Sequence, residues 1–328
     1  MNSISSNISG REVATELLTV TVAVPTRDRP AQLERCLRAL RELEFQRFEL
    51  LVANNGLGEE IIKELCSEFG ARYLRVDNPG LNIARNRAAL ACTSDVVAYL
   101  DDDAVVEPGW LPSLLLDFKD PKVMAVTGRV DPIRTDTEAA RISALFMSSL
   151  ADPARRVVLD KECDDWFARA NFGGVGIGCN MALRRSAWTT WGGFDARLDR
   201  GAAIAGWGEH FAFFELIDQG FRVVHTPASA VQHGEPESLE QVRSAYLRDL
   251  RAVSAYMAML FAEFPQHRRA LWDFCMARFR KSPRPWRSRV EAPRRLVPRW
   301  RSLLALISGP FRYAALRIKK GTRKHPRT

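Results

Sequence analysis

Three consecutive aspartates, Asp101, Asp102 and Asp103, directly follow the apolar run Val96–Leu100. In extended chain, successive side chains point to opposite sides, so Asp101 and Asp103 project together and Asp102 points away. Two carboxylates held close repel each other unless a cation lies between them, and hard divalent cations prefer oxygen ligands. The spacing therefore predicts a Mg²⁺ or Mn²⁺ site at the end of a buried strand, with a solvated acidic loop as the alternative.

Short β-branched runs alternate with segments of helical periodicity in the first half of the chain. This alternation predicts an α/β fold with a mostly parallel central sheet flanked by helices. Strands are predicted over residues 19–24, 48–53, 72–76, 96–100, 124–130 and 179–183, and helices over residues 31–43, 59–69 and 81–92. Ligands bind beyond the carboxyl ends of strands in such sheets, which is where the three aspartates lie. The glycine motifs of dinucleotide-binding and P-loop proteins are absent after the first strand, which argues against both classes.

The composition is that of an ordinary globular protein. Of the 328 residues, 46% are hydrophobic and 27% are charged, which excludes wholesale disorder. No apolar stretch approaches the roughly 20 residues of a membrane-spanning helix. Residues 1–18 lack the pattern of a secretory signal, so we expect them to be a flexible lead in a cytoplasmic protein. The six cysteines form no C-x-x-C pair and are expected to be reduced core thiols.

Positive charge is concentrated at the C-terminus. Residues 281–328 contain 15 Lys and Arg against one acid, whereas the preceding residues hold 33 basic and 38 acidic residues. Helical periodicity predicts two helices over residues 239–260 and 268–280, followed by this basic tail. The tail has an apolar stripe on one side of a helix that Pro310 should end or kink. The stripe consists of Trp300, Leu303, Leu304, Ile307 and Phe311.

This pattern predicts an interfacial helix that binds an anionic membrane surface, which would make the protein peripheral on the inner face of the cell membrane. A disordered, solvated tail and a stripe packed against the rest of the protein are the alternatives. We do not expect nucleic acid as a partner, because no recognised RNA- or DNA-binding module is present.

Several segments, in a consistent order, resemble family 2 glycosyltransferases of the GT-A fold. They are residues 24–29 (VPTRDR), 78–86 (NPGLNIARN), 100–110 (LDDDAVVEPGW), 178–181 (GCNM), 191–195 (WGGFD), 207–209 (WGE) and 220–233. Each segment is weak evidence alone, but their number and order are specific. The resemblance implies a GT-A catalytic domain over residues 19–235. Periodicity and charge predict a helical extension over residues 236–280 and a basic amphipathic tail over residues 281–328.

The resemblance implies that a nucleotide-sugar donor is bound through Mn²⁺ or Mg²⁺. Asp101 and Asp103 would hold the ion on the donor diphosphate, and His233 would complete its coordination or touch a phosphate. Arg85 would help to neutralise the charge that develops on the leaving diphosphate. The other donor-binding residues implied are Pro25, Thr26, Arg29, Asn54 and Asp102.

The sequence departs from the family at two positions. Asn54 stands where the family usually has an aspartate that contacts the nucleotide base, and a plain turn over residues 54–56 is the alternative interpretation. Glu209 and His210 replace the family's Glu-Asp pair, whose aspartate commonly deprotonates the acceptor. Either residue could act as the base of an inverting reaction. Glu209 is preferred, His210 is the alternative base, and a packing role is the alternative for His210.

The acceptor is expected to be a saccharide, a lipid-linked hydroxyl or another hydroxyl. Gly176, in a glycine cluster, and Trp207 and Gly208, beside the base, are expected to contact it. Together these residues predict a metal-dependent glycosyltransferase, and the family resemblance implies inversion at the anomeric carbon. A nucleotide-sugar-binding protein that has lost catalysis through the changes at Asn54 and His210 is the alternative function.

Overall fold

The computed structural model describes residues 18–147, 154–200, 202, 204–234, 236–279 and 295–320. Residues 1–17 of the predicted lead, and residues 281–294 and 321–328 of the predicted tail, lie outside the described residues. The described strands are β1 (Val20–Thr26), β2 (Glu49–Asn54), β3 (Arg72–Arg75), β4 (Val96–Leu100), β5 (Ala104–Val106), β6 (Val123–Pro132), β7 (Val157–Leu159), β8 (Asn180–Arg184) and β9 (Arg222–His233).

These strands form one sheet in the order β3-β2-β1-β4-β8-β6-β9-β5, and β7 also pairs with β9. The first four positions are parallel, as the strand and helix alternation predicts. Beyond β4 the sheet is mixed, because β8 runs antiparallel to both neighbours and β5 and β7 run antiparallel to β9. The predicted α/β fold with a central sheet is confirmed, while its parallel character holds mainly for the first half.

Helices pack against this sheet, and strands and helices both contribute buried residues to the core. These helices are α1 (Pro30–Arg41), α2 (Glu59–Phe69), α3 (Leu81–Ala91), α4 (Trp110–Leu116), α5 (Glu138–Met147), α6 (Trp166–Phe172), α7 (Ala187–Trp191) and α8 (Gly208–Asp218). α1 shows how local sequence defines such a helix: Pro30 occupies its first turn, and Leu33, Leu37 and Leu40 are buried at helical spacing. All six cysteines are free, and four of them are buried.

In the described part of the chain, the sheet is followed by the helices α9 (Leu239–Glu263), α10 (Arg268–Phe279) and α11 (Arg299–Lys320). α11 packs along α9, and α11 continues through Pro310 although the sequence predicted that this proline would end or kink the helix. Buried contacts on both sides of the proline, at Ala305 and Tyr313, hold the chain helical despite the lost backbone hydrogen bond. None of the described helices is long and apolar enough to cross a membrane.

Candidate active site

The three aspartates form a tight turn between β4 and β5. β4 lies between β1 and β8, and all five of its residues are buried, which fixes the start of the turn. β5 pairs antiparallel with the end of β9, so that Ala104 lies opposite His233. This pairing places His233 beside Asp101 and Asp103, which come from a distant part of the sequence.

Asp101, Asp103 and His233 form a candidate metal centre whose three ligand atoms lie within 4.8 Å of one another. The Nε2 atom of His233 is 3.2 Å from Oδ1 of Asp103 and 3.9 Å from Oδ2 of Asp101. Its Nδ1 donates to the carbonyl oxygen of Gly234 at 2.8 Å, which turns Nε2 toward the carboxylates. Two carboxylates and an imidazole are suitable ligands for Mn²⁺ or Mg²⁺.

The charges at this centre also favour a cation. Burial lowers the pKa of His233, but Asp101 and Asp103 outweigh burial and raise it to about 10. Burial raises the pKa of Asp101, but the hydrogen bond with His233 and the charge of Arg85 bring it well below its ordinary value. Two ionised carboxylates thus stabilise positive charge at Nε2, where a divalent ion would replace the imidazole proton. The residues present therefore fit the ion that the family implies.

Asp102 points away from the metal centre toward the end of β1. Its Oδ2 accepts a hydrogen bond from the Thr26 hydroxyl at 2.7 Å, and its Oδ1 lies 3.3 Å from Nη1 of Arg29. Burial raises the pKa of Asp102 to about 6, although these two partners lower it. Pro25, the residue before Thr26, pairs with Ala53 in β2. Four of the predicted donor-binding residues are therefore neighbours at this edge of the sheet.

Arg85, on α3, connects the metal centre to the core. Its side chain is only 2% exposed, and Nη2 donates to the Gly178 carbonyl at 2.9 Å and lies 3.4 Å from Oδ1 of Asp101. A Cβ at Gly178 would overlap the guanidinium, so a glycine is required for this approach. The buried Nε of Arg85 has no hydrogen-bond partner in the described part of the chain. The guanidinium therefore retains a donor beside the candidate metal centre.

The side chain of Asp199 caps the N-terminus of α3. Its carboxylate accepts hydrogen bonds from the backbone nitrogens of Leu81, Asn82 and Ile83 at 2.6, 3.0 and 3.3 Å. Burial raises the pKa of Asp199, and these three N–H groups partly counter that effect. This interaction could not be inferred from the sequence, because Asp199 lies more than 100 residues after the end of α3.

Replacing Asp199 with alanine is expected to lower the free energy of unfolding by about 2 kcal/mol, because three buried N–H groups lose their acceptor. Asp199→Asn, which keeps one carbonyl oxygen, should lose less. Urea unfolding of the two variants and the parent measures the difference. Equal stability of Asp199→Ala and the parent would show that the cap contributes nothing.

Asn54 is buried at the end of β2. Its Oδ1 accepts a hydrogen bond from the backbone nitrogen of Gly56 at 2.8 Å, and its Nδ2 donates to the Tyr73 hydroxyl at 3.3 Å. This is the turn geometry that the sequence left as an alternative. Both ends of the amide have partners within the protein, and recognition of a nucleotide base by Asn54 stays a prediction.

Trp207 and Gly208 start α8 and position the two base candidates. Trp207 has a left-handed φ of 73°, which is rare for a bulky residue, and its ring stacks at 6.0 Å on Tyr256 of α9. Gly208 fits beneath the side chain of Asn82, which a Cβ would overlap. The Asn82 amide in turn donates to the Asp195 carbonyl at 2.9 Å. The start of α8 is thus held by contacts to α3 and α9.

Glu209 lies in the first turn of α8, where the helix dipole favours a negative charge. Burial raises its pKa, but the nearby guanidinium charges of Arg85 and Arg200 help to bring the net pKa below the ordinary value of a glutamate. Its own backbone N–H donates a hydrogen bond to the carboxylate, and no other described residue is a donor to it. Glu209 is therefore an ionised acceptor that faces a cavity.

His210 is 4% exposed, and neither of its ring nitrogens has a hydrogen-bond partner within the described residues. Its ring lies 4.8 Å from that of Trp207 and 6.3 Å from that of Phe213. Burial lowers its pKa, against the opposing effect of Glu209, so the imidazole is neutral at pH 7. The aromatic packing that the sequence suggested is present, and two unsatisfied polar atoms remain beside the cavity.

A cavity of about 380 Å³ brings the candidate residues together. The lining includes Asp101, His233, Arg85, Trp207, Glu209 and His210. Asp103 lines a neighbouring cavity of about 600 Å³, together with Arg29, and Gly234 lines both. Gly176 is not in the lining of either cavity: it lies against Thr127 and His225 with a φ of 86°, while Ile177 and Gly178 reach the first cavity.

The structure adds charged residues that sequence reasoning missed. Arg200, Arg248 and Asp249 also line the first cavity. Arg248 and Asp249 lie on α9. The sequence predicted an amphipathic helix there, and in such a helix charged residues are expected on the solvent-exposed face. Burial raises the pKa of Asp249, while Arg248 and Arg200 lower it in part. The helical extension therefore contributes to the candidate site.

Comparison with known proteins identifies the family. Residues 21–189, more than half of the chain, match the description "Glycosyl transferase family 2". The chain belongs to glycosyl transferase family 2. This glycosyl transferase family 2 chain has the GT-A fold. Among solved structures, it resembles a mannosyltransferase from Pyrobaculum calidifontis in complex with GDP-Man and Mn²⁺. The TM-score is 0.55 and the sequence identity is 16%. The alignment covers 94% of this chain and 89% of that chain, and at this identity it shows the fold alone.

The chain is also similar in sequence to two named proteins. Pre-mycofactocin glycosyltransferase from Mycobacterium tuberculosis is 29% identical over 220 residues, which are 65% of this chain and 42% of that protein. Succinoglycan biosynthesis protein ExoM from Rhizobium meliloti is 27% identical over 271 residues, which are 80% of this chain and 81% of that protein. This family 2 chain thus spans less than half the length of the first relative.

Proposed function

We propose that this protein transfers a sugar from a nucleoside-diphosphate donor to an acceptor hydroxyl, with the assistance of a divalent metal and with inversion at the anomeric carbon. One observation carries the proposal: residues of the candidate metal centre, the buried cation Arg85 and the ionised carboxylate Glu209 line the same cavity. Inverting transfer needs these three functions around one anomeric carbon.

The donor side is formed by the ends of β1 and β4. Asp101, Asp103 and His233 would hold the ion, which when bound acts as a Lewis acid on the diphosphate. Arg85 would stabilise the negative charge that appears on the leaving group, in a buried setting where such interactions are strong. The neighbouring Thr26, Arg29 and Asp102, together with Pro25 and Asn54, would bind the nucleoside part.

Glu209 would accept the proton of the acceptor hydroxyl as its oxygen attacks the anomeric carbon. Its ionised state and its position in the lining of the cavity support this assignment. His210 is the second candidate, because it is neutral and both of its nitrogens lack partners among the described residues. Successive residues of a helix point about 100° apart, so only one of the two would face the reacting carbon.

We infer that the acceptor is a saccharide or a lipid-linked hydroxyl that is presented at the cytoplasmic face of the cell membrane. The likeness to a protein of succinoglycan biosynthesis and the basic C-terminal region support this inference. Trp207, at the cavity, would offer its ring to a sugar face, and Gly208 would let the backbone approach. The bound metal is inferred to be Mn²⁺ or Mg²⁺, as the ligand set allows either.

A screen of nucleotide-sugars tests the proposal. We expect one or more of them to raise the melting temperature of the protein only when Mn²⁺ or Mg²⁺ is present, because a ligand that binds the folded state alone stabilises it. The same donors should then be consumed in the presence of saccharide or lipid-linked acceptors. Metal-dependent stabilisation without turnover across the acceptor panel would instead favour a nucleotide-sugar-binding protein.

A further inference from the structure

α11 has an inner face that packs closely on α9. Ala305, Gly309 and Tyr313 share this face at a spacing of four residues, and Ala305 and Tyr313 are 3% and 4% exposed. A Cβ at Gly309 would overlap the backbone of α9, so the two helices approach through a glycine. The Tyr313 hydroxyl also donates to Oε1 of Glu263 at 2.9 Å. α11 is therefore held firmly against α9.

The opposite, outer face of α11 is apolar and exposed. Its large residues are 49% to 85% exposed, and at 100° per residue they fall within a sector of about 100°. They are Trp300, Leu303, Leu304, Ile307, Phe311 and Ile318. These residues include the whole stripe that the sequence indicated, and no other described part of the chain covers it. A contiguous exposed patch of this kind marks an interaction surface.

Basic residues lie on both flanks of this outer face. Arg301 and Arg312 fall to one side of the apolar sector, and Arg299 and Arg317 fall to the other. Residues 299–320 contain six Lys and Arg and no Asp or Glu. Long basic side chains beside an apolar strip can keep their charges at the headgroup level while the strip is buried in the acyl region. The charge pattern is thus complementary to an anionic lipid surface.

We propose that the outer face of α11 docks on the surface of an anionic lipid bilayer and lies parallel to it. The inference deepens the proposed function and rests on it for the identity of the acceptor. α9 contributes Arg248 and Asp249 to the cavity and holds α11 through Ser254 and Ala255. One helix therefore separates the docking face from the cavity, which suits an acceptor that is anchored in the same bilayer.

Co-sedimentation with vesicles tests the docking face. The full chain is mixed with vesicles of phosphatidylcholine alone or with added phosphatidylglycerol, at low and high salt. We expect strong binding only to the anionic vesicles, and we expect high salt to weaken it. The double variant Ile307→Glu, Phe311→Glu should bind at least about tenfold more weakly, because it removes two exposed apolar side chains that would enter the bilayer and adds charge repulsion.

The matched control is Leu90→Glu, Leu116→Glu, which makes the same change in charge and apolarity at two exposed leucines on α3 and α4. It should bind vesicles like the parent. Equal binding by both double variants, or binding that is indifferent to lipid charge, would overturn the proposal. A parent that is dimeric without vesicles and becomes monomeric in the Ile307→Glu, Phe311→Glu variant would also overturn it, because the face would then join two copies of this chain.

Vesicle binding and turnover test the docking proposal and the proposed function independently. Metal-dependent turnover of a nucleotide-sugar with a water-soluble acceptor is measured for each variant in the absence of vesicles, and all should match the parent. Turnover without vesicle binding by the parent would overturn docking alone. Vesicle binding without any turnover would contradict the proposed function alone. Melting temperatures establish that the exposed substitutions leave the fold intact.

Discussion

Asp103→Asn is expected to lower the rate of sugar transfer by at least about 10³-fold, which corresponds to about 4 kcal/mol of lost transition-state stabilisation. The substitution keeps the shape of the side chain but removes one of the two charges that face His233. It should also weaken Mn²⁺ binding, which isothermal titration calorimetry measures without reference to turnover. Initial rates with a nucleotide-sugar donor, before and after EDTA treatment, give the effect on activity.

Asp131→Asn is the matched control for this prediction. Asp131 also lines the first cavity, but its carboxylate pairs with Arg129 at 2.8 Å and is not part of the metal cluster. Its substitution should change the rate by no more than a few fold and leave Mn²⁺ binding unchanged. Full activity of the parent in EDTA, or equal losses in the two variants, would refute the metal assignment.

Glu209→Gln is expected to lower kcat by about 10²- to 10⁴-fold while the affinity for the donor is preserved. The amide is nearly isosteric with the carboxylate but cannot take the proton of the acceptor hydroxyl. The free energy of unfolding should change little, because the amide oxygen of the glutamine can still accept the hydrogen bond from the residue's own backbone N–H. Steady-state kinetics and donor binding by calorimetry separate the two effects.

His210→Gln is the companion variant, and the comparison identifies the base. If Glu209 is the base, His210→Gln should lose much less activity, because it alters packing against Trp207 and Phe213 rather than proton transfer. A larger loss in kcat for His210→Gln would assign the base to the imidazole. Two variants with nearly parental rates would exclude both residues.

The sequence predicted those parts of the site that arise from neighbouring residues. Asp101 and Asp103 were expected on one side and Asp102 on the other, because of simple alternation at a strand end, and the structure has this arrangement. The roles of these residues in metal and donor binding stay predictions. By contrast, the Asp199 cap and the cavity residues Arg200 and Asp249 could not be inferred, because no local periodicity encodes a contact between distant segments.

By itself, the sequence determined the α/β fold, the family and the existence of an amphipathic C-terminal helix, because each depends on short-range periodicity or on the order of motifs. Tertiary structure decided how these parts meet. His233 reaches the aspartates only because β5 pairs with the end of β9. Likewise, α11 packs through Ala305 and Gly309 and leaves its large apolar residues exposed, because the closest approach of two helices is set by small side chains and not by hydrophobicity alone.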